Sequence, residues 1–221
     1  MKGRNIWKNI SELDDYFITY LLYKEGKSIE SIAIIRKMSK SEVEKDIIKS
    51  KIFFSKDAKK DDELIKIISL SKKERIAYLN NMTKDEKNKL SDEIYKRYIK
   101  FKNQEDRMIL IWLIGELDED RFLPFLRMEL RSKNVNYRRL SCSALGKMNR
   151  KETKDWLETA LRDENPQVRQ YATKALSGIG DEYTIKLLEK IAIVDEKEYV
   201  KRGAKKSIEE IKNRLKIGVN N

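Results

Sequence analysis

Four basic side chains recur at nearly equal distances along the second half of the chain. Arg107, Arg138, Arg169 and Lys201 are separated by 31, 31 and 32 residues. Cations in such register can line a surface that receives carboxylates or phosphates. They can also tie successive turns of a repeated structure together, through backbone carbonyls and the aspartates, Asp163 and Asp195, that precede the last two of them. Arg139, Lys174, Lys205 and Lys206 fall near the same helical register without being required by the repeat. The candidate basic face is therefore Arg138, Arg139, Arg169, Lys174, Lys201, Arg202, Lys205 and Lys206. At the equivalent place one unit earlier stand Met108, Ile111 and Trp112, an apolar set that suits packing or docking.

Several other chemistries are removed by composition. The chain has no histidine, so it lacks an imidazole base, a Ser-His or Cys-His pair and a histidine metal ligand. A lone Cys142 excludes an intrachain disulfide and a cysteine zinc cluster. No catalysis, metal or small-molecule cofactor is expected. "LSGIG" has the glycines of a helix end, with no GxxxxGK[ST] phosphate loop following. Asp118 and Asp120 lie near Trp112, but in "GELDEDRFLP" they read as capping residues of the next helix. Trp156, beside Leu157, reads as core or rim. No apolar run reaches the ~18 residues of a membrane span, and Met1 to Asn9 has no signal-peptide core, so a cytoplasmic protein is expected.

Only 8 Gly and 2 Pro interrupt 221 residues rich in Lys, Glu, Leu and Ile, which predicts an all-α fold. The net charge of +12 is spread out: residues 1–60 carry 14 basic and 9 acidic groups, and residues 106–221 carry 24 and 19. It is consistent with an acidic partner, nucleic acid included, or with a solvated lysine-rich surface.

The periodic cations sit in a longer repeat. "DRMILIWLIGEL", "YRRLSCSALGKM", "VRQYATKALSGI" and "VKRGAKKSIEEI" align, placing Ile114, Leu145, Leu176 and Ile208 at spacings of 31, 31 and 32. Between them lie helical segments in which Leu126, Leu157 and Leu188 again stand 31 apart. Each unit is two helices that cannot bury their apolar faces alone but share a core when stacked. "LRDENPQVRQYATKALSGIG", with Asp163, Pro166, Val168, Arg169, Ala172, Ala175 and Leu176, resembles HEAT repeats. Asp195, Val200, Lys201 and Ala204 follow the same pattern, while Ser132 replaces the earlier aspartate. The resemblance covers roughly residues 95–215. It implies an α-solenoid, a right-handed superhelix whose Val-Arg helices line a concave surface, with binding of proteins and sometimes nucleic acids. A distant branch of HEAT-like proteins excises alkylated bases from DNA, but its tryptophan-and-aspartate constellation is not present. Upstream, Ser71 with Glu74 and Thr83 with Glu86 are capping boxes that predict a divergent first pair over 64–102, before regular repeats over 103–215.

The charged, aperiodic stretch 55–63 reads as a linker after an N-terminal module spanning 1–54. In that module Ile10, Leu13, Phe17, Tyr20 and Leu21 have helical spacing, and Gly26 ends the helix. Ser28 caps a second helix carrying Ile29, Ile32, Ala33 and Ile35; Ser39, with Glu42, caps a third in which Val43 and Ile47 face inward. Thr19, Leu22, Gly26, Ile32, Ala33, Arg36, Met38, Ser39, Val43 and Ile47 resemble the helix-turn-helix at the C-terminus of RecQ-type helicases, over residues 19–51. The resemblance implies a DNA-reading third helix, presenting Lys40, Ser41, Lys45 and Lys49. Four phosphate contacts give a log–log salt slope of about −3 to −4, and Glu42 and Asp46 on the same face would oppose them. Two readings stand: an interaction scaffold whose basic face holds a protein partner, and a DNA-binding protein using module and groove together.

Overall fold

A computed structural model describes residues 14–57 and 62–219. The described residues form thirteen α-helices and no strand. The expected contributions of Ile10 and Leu13, and residues 58–61 of the expected linker, lie outside them. The chain divides into two compact units between Ile109 and Leu110. No described helix is long and apolar enough to cross a membrane.

The first unit opens with α1 (Asp15–Lys24), α2 (Ile29–Arg36) and α3 (Lys40–Asp57). Gly26, at φ +87°, supplies the left-handed turn after α1 that a side chain resists. Ser28 accepts the Ser31 amide, and Ser39 and Glu42 cap each other's amides at the start of α3. Tyr23, Ile32, Val43 and Ile47 form the core of the three helices, with Ala33 and Met38 packed against it. Ile35 does not join them and is 54% exposed. The reason is local: α2 ends one residue later, and Lys37 turns left-handed before a neighbour can cover that side.

Three more helices follow in this unit: α4 (Glu63–Ser69), α5 (Lys72–Asn81) and α6 (Lys84–Arg97). Both expected capping boxes are formed, Ser71 with Glu74 and Thr83 with Glu86. Leu64, Ile67, Leu90 and Ile94 are buried. The boundary between the units falls inside α7 (Gln104–Leu117).

The second unit is built in two layers. Helices α9 (Val135–Met148), α11 (Pro166–Ile179) and α13 (Glu198–Val219) pack in succession, α9 on α11 and α11 on α13. Helices α8 (Leu123–Glu129), α10 (Lys154–Ala160) and α12 (Glu182–Val194) back them one for one. The repeated aliphatics predict this core: Leu126, Leu157 and Leu188 are wholly buried in the backing layer, as are Ile114, Leu145 and Leu176 on the other side of it. Such stacking gives each pair the apolar partner surface it lacks by itself. Close approach is set by small residues. A Cβ on Gly115 would lie 2.8 Å from Ala144 Cα, and one on Gly146 would lie 2.9 Å from Ala175 Cα.

Candidate basic groove of the second unit

The periodic arginines are structural ties. Arg138 makes a two-pronged pair with Asp163, at 2.6 and 2.9 Å, and donates to the Ser132 and Lys133 carbonyls. Arg169 repeats this one unit later, with Asp195 at 2.7 and 3.0 Å and the carbonyls of Asp163 and Glu164. Each arginine thus binds the aspartate of the following turn, where the sequence suggested the preceding one. The aspartate is held on its other side by an amide, Asn165 N–H on Asp163 and Lys197 N–H on Asp195. Arg107 donates to the Phe101 carbonyl, and Lys201 pairs with Glu198.

A second set of ties joins the turns within the pairs. Arg150 binds both Asp118 and Asp120. These aspartates therefore hold the next unit; no side chain caps the short helical turn that begins at Asp120. Lys154 performs the equivalent task on Asp181 and holds that carboxyl down at about 2.

With these residues committed, a smaller set of cations is left along one surface groove. An open groove of about 570 Å³ runs across α9, α11 and α13. Ser143, Gly146, Ala175 and Gly203 make its floor, and Lys147, Lys174 and Lys206 stand along it. Lys174 is exposed, and its ammonium has no ion pair among the described residues. Lys206 reaches Glu210 at 3.7 Å, and Lys147 pairs with Glu116 while lying 5.6 Å from the centre of the Trp112 ring. Arg139 lies over the ring of Tyr171, which lines the groove. Arg202 and Lys205 are exposed but do not line it. Lys147 was missed in the sequence, although its place 31 residues after Glu116 signals a charged contact between neighbouring units.

Cys142 also borders the groove, and burial pushes its thiol up to about 12. It is a packing residue, not a thiolate nucleophile. Of the apolar set, Ile111 is wholly buried and belongs to the core, not to a docking patch. Met108 and Trp112 are half-buried. Trp156 is at the rim, with the Arg127 guanidinium 5.0 Å from its ring. Among the described residues no cluster of three or more acidic or cysteine side chains is arranged to hold a metal.

In the first unit the outer face of α3 is altered in two respects. Asp46, expected to oppose DNA there, turns toward α1 and accepts the Thr19 hydroxyl at 3.0 Å. Lys40 is paired with Glu30 at 2.7 Å. Ser41 and Lys45 are exposed, and Lys49 lies 4.0 Å from the centre of the Tyr16 ring.

Residues 123–209 match the family described as HEAT repeats, which agrees with the two-layered stack. Comparison with curated proteins gives no significant match.

Proposed function

We propose that this chain is a non-catalytic interaction scaffold whose groove across α9, α11 and α13 holds an acidic segment of a protein partner. HEAT arrays of this type support a scaffold role. The observation that carries the reading is Lys174, an exposed and unpaired cation flanked by Lys147 and Lys206 over a floor of small residues. Small floor residues let an extended backbone approach, and the lysines then meet its carboxylates. Lys147 and Lys206 can exchange Glu116 and Glu210 for carboxylates of the partner. The same two glutamates disfavour a dense phosphate array.

The test is fluorescence anisotropy with a labelled Asp/Glu-rich peptide of about 12 residues, a length that spans the three helices in extended form. Binding is expected, and Lys174→Glu weakens it about tenfold, as reversal of a central charge does. Lys205→Glu, outside the groove, changes it less than about twofold. Equal effects of the two reversals would reject the groove as the site.

One observation favours a second reading, DNA contact through α3: with Asp46 turned inward, one of the two opposing acids leaves that face. Lys45 and Lys49, with Lys40 released from Glu30, supply two or three phosphate contacts. The expected log–log salt slope for duplex binding is then about −2 to −3, shallower than four contacts give. A gel shift titrated with salt measures it. Absence of a shift at ~50 mM salt, or one unchanged by Lys45→Glu, removes this reading.

A further inference from the structure

A second groove lies wholly within the first unit and differs from the basic one in character. Its volume is about 720 Å³, and its walls are α3 on one side and α4 with the start of α5 on the other. Ile47, Ile48, Ile52, Ile65, Ile68 and Ile109 make it apolar. Ile48 and Ile52 are 42% and 46% exposed, one turn apart on α3. With Glu44 and Lys51 they form a stripe two helical turns long, the geometry that receives another helix.

The charges bordering this groove are not balanced once their partners are assigned. Lys51 is buried in a triad: it donates to Asp106 Oδ1 at 2.8 Å and to the Tyr23 hydroxyl at 3.3 Å. Tyr23 in turn donates to Asp106 at 2.6 Å. Arg75 donates to the carbonyls of Ile67, Ile68 and Leu70, and Lys66 to the Tyr78 hydroxyl, neutral groups that orient the two cations without cancelling their charge. Asp62 is held by Arg97, and Glu74 by the amide of Ser71. Glu44 and Glu105 are left over. Glu44 is exposed, while Oε2 of Glu105 is buried without a hydrogen-bond partner among the described residues. Glu44, Glu74 and Glu105 outnumber Arg75 and Lys66 along it, so in a chain of net charge +12 this apolar groove keeps a small acidic excess. A carboxylate oxygen without a partner in a desolvated wall gains strongly from an incoming cation.

We infer that this groove docks an amphipathic helix of a protein partner, its apolar residues covering Ile48 and Ile52 and a lysine or arginine pairing with Glu105. The partner is therefore basic on the edge of its apolar face, the reverse of the acidic segment assigned to the second unit. The two sites are independent in residues and in charge.

The probe is a displayed library of random peptides of about 15 residues, long enough for a helix to form on docking, selected on the full chain. The recovered peptides are expected to share apolar residues at i, i+4 and i+7, with a basic residue beside them. Synthesised individually, they bind about tenfold more weakly to Ile48→Glu and several-fold more weakly to Glu105→Gln, with Lys174→Glu unchanged. Glu105→Gln is nearly isosteric and decides the matter if Ile48→Glu fails to fold by circular dichroism. Recovery of acidic peptides, of no enriched pattern, or of peptides indifferent to Glu105→Gln overturns the inference. So does a concentration-dependent dimer, seen by sedimentation, that Ile48→Glu dissociates, because the occupant is then a second copy of this chain.

Discussion

Arg169→Met is expected to lower the unfolding free energy by about 3 kcal/mol, because it strands a buried carboxylate. The side chain of Asp195 is 2% exposed and that of Arg169 11%, so neither partner can fall back on water when the other is removed. The pair also joins two successive helical pairs: α11 carries the arginine, and the turn before α13 carries the aspartate. In a stack stabilised mainly by neighbouring contacts, its loss loosens the last pair first. Hydrogen exchange in α12 and α13 should therefore rise before that in α8 and α9. Lys201→Met is the contrast, since its partner Glu198 is largely exposed, and a change of less than about 0.5 kcal/mol is expected. The double change Arg169→Met with Asp195→Asn should recover a good part of the loss. It leaves no buried charge, and the asparagine oxygen still accepts the Lys197 amide.

Acid supplies an independent check on the same pair. Burial alone would raise the Asp195 carboxyl, but Arg169 and the Lys197 amide outweigh it and hold it below the ordinary value of 3.8. A carboxyl whose folded pKa is depressed contributes stability that is complete above its unfolded pKa. That contribution disappears as pH falls through the folded one. The deficit of Arg169→Met, measured from urea midpoints, should therefore be full near neutrality and shrink in acid. A deficit that stays constant into the acid range would mean that packing of the arginine stem, not its charge, holds the turn.

Different parts of this molecule were legible in the sequence to different degrees. The core of the second unit could be read because Leu126, Leu157 and Leu188 repeat at one period, and stacking turns period into burial. The arginine ladder was legible as a recurring residue type, but its pairing was not. Asp163 stands six residues before Arg169, yet the carbonyls of that turn occupy one guanidinium nitrogen, and the other two reach forward to Asp195. Asp46 sits beside Ile47 on the flank of α3, where an inside-or-outside division of a helix does not assign a side chain. The triad of Tyr23, Lys51 and Asp106 joins residues 28 and 55 positions apart, so no local pattern announces it. The basic groove was half visible: Lys174 and Lys206 were identified. Arg138 and Arg169 were counted there too, because the sequence names cations without saying which are already spent.

Gly146 is the position where ordinary helix propensity should fail most plainly. Alanine in place of glycine inside a helix usually stabilises by about 1 kcal/mol. Here the new Cβ would lie 2.9 Å from both Cα and Cβ of Ala175, atoms of a backbone that cannot swing aside. Helices α9 and α11 must separate, and the contacts of Leu145 and Leu176 loosen with them. Overpacking of this kind costs about 1–3 kcal/mol, so Gly146→Ala should destabilise on balance and Gly146→Val should approach the loss expected for Arg169→Met. Gly203→Ala is the control. Its nearest neighbour is the Thr173 hydroxyl at 3.2 Å, a longer approach than the 2.9 Å met at Gly146 and onto a side chain instead of a backbone, so the expected change is smaller than that of Gly146→Ala. Pairing Gly146→Ala with Ala175→Gly should show a coupling of about 1 kcal/mol in a double-mutant cycle. Because Gly146 and Ala175 both floor the basic groove, the same separation of helices displaces Lys147 from Lys174. Affinity for the acidic peptide should then fall in Gly146→Ala although no charge has changed.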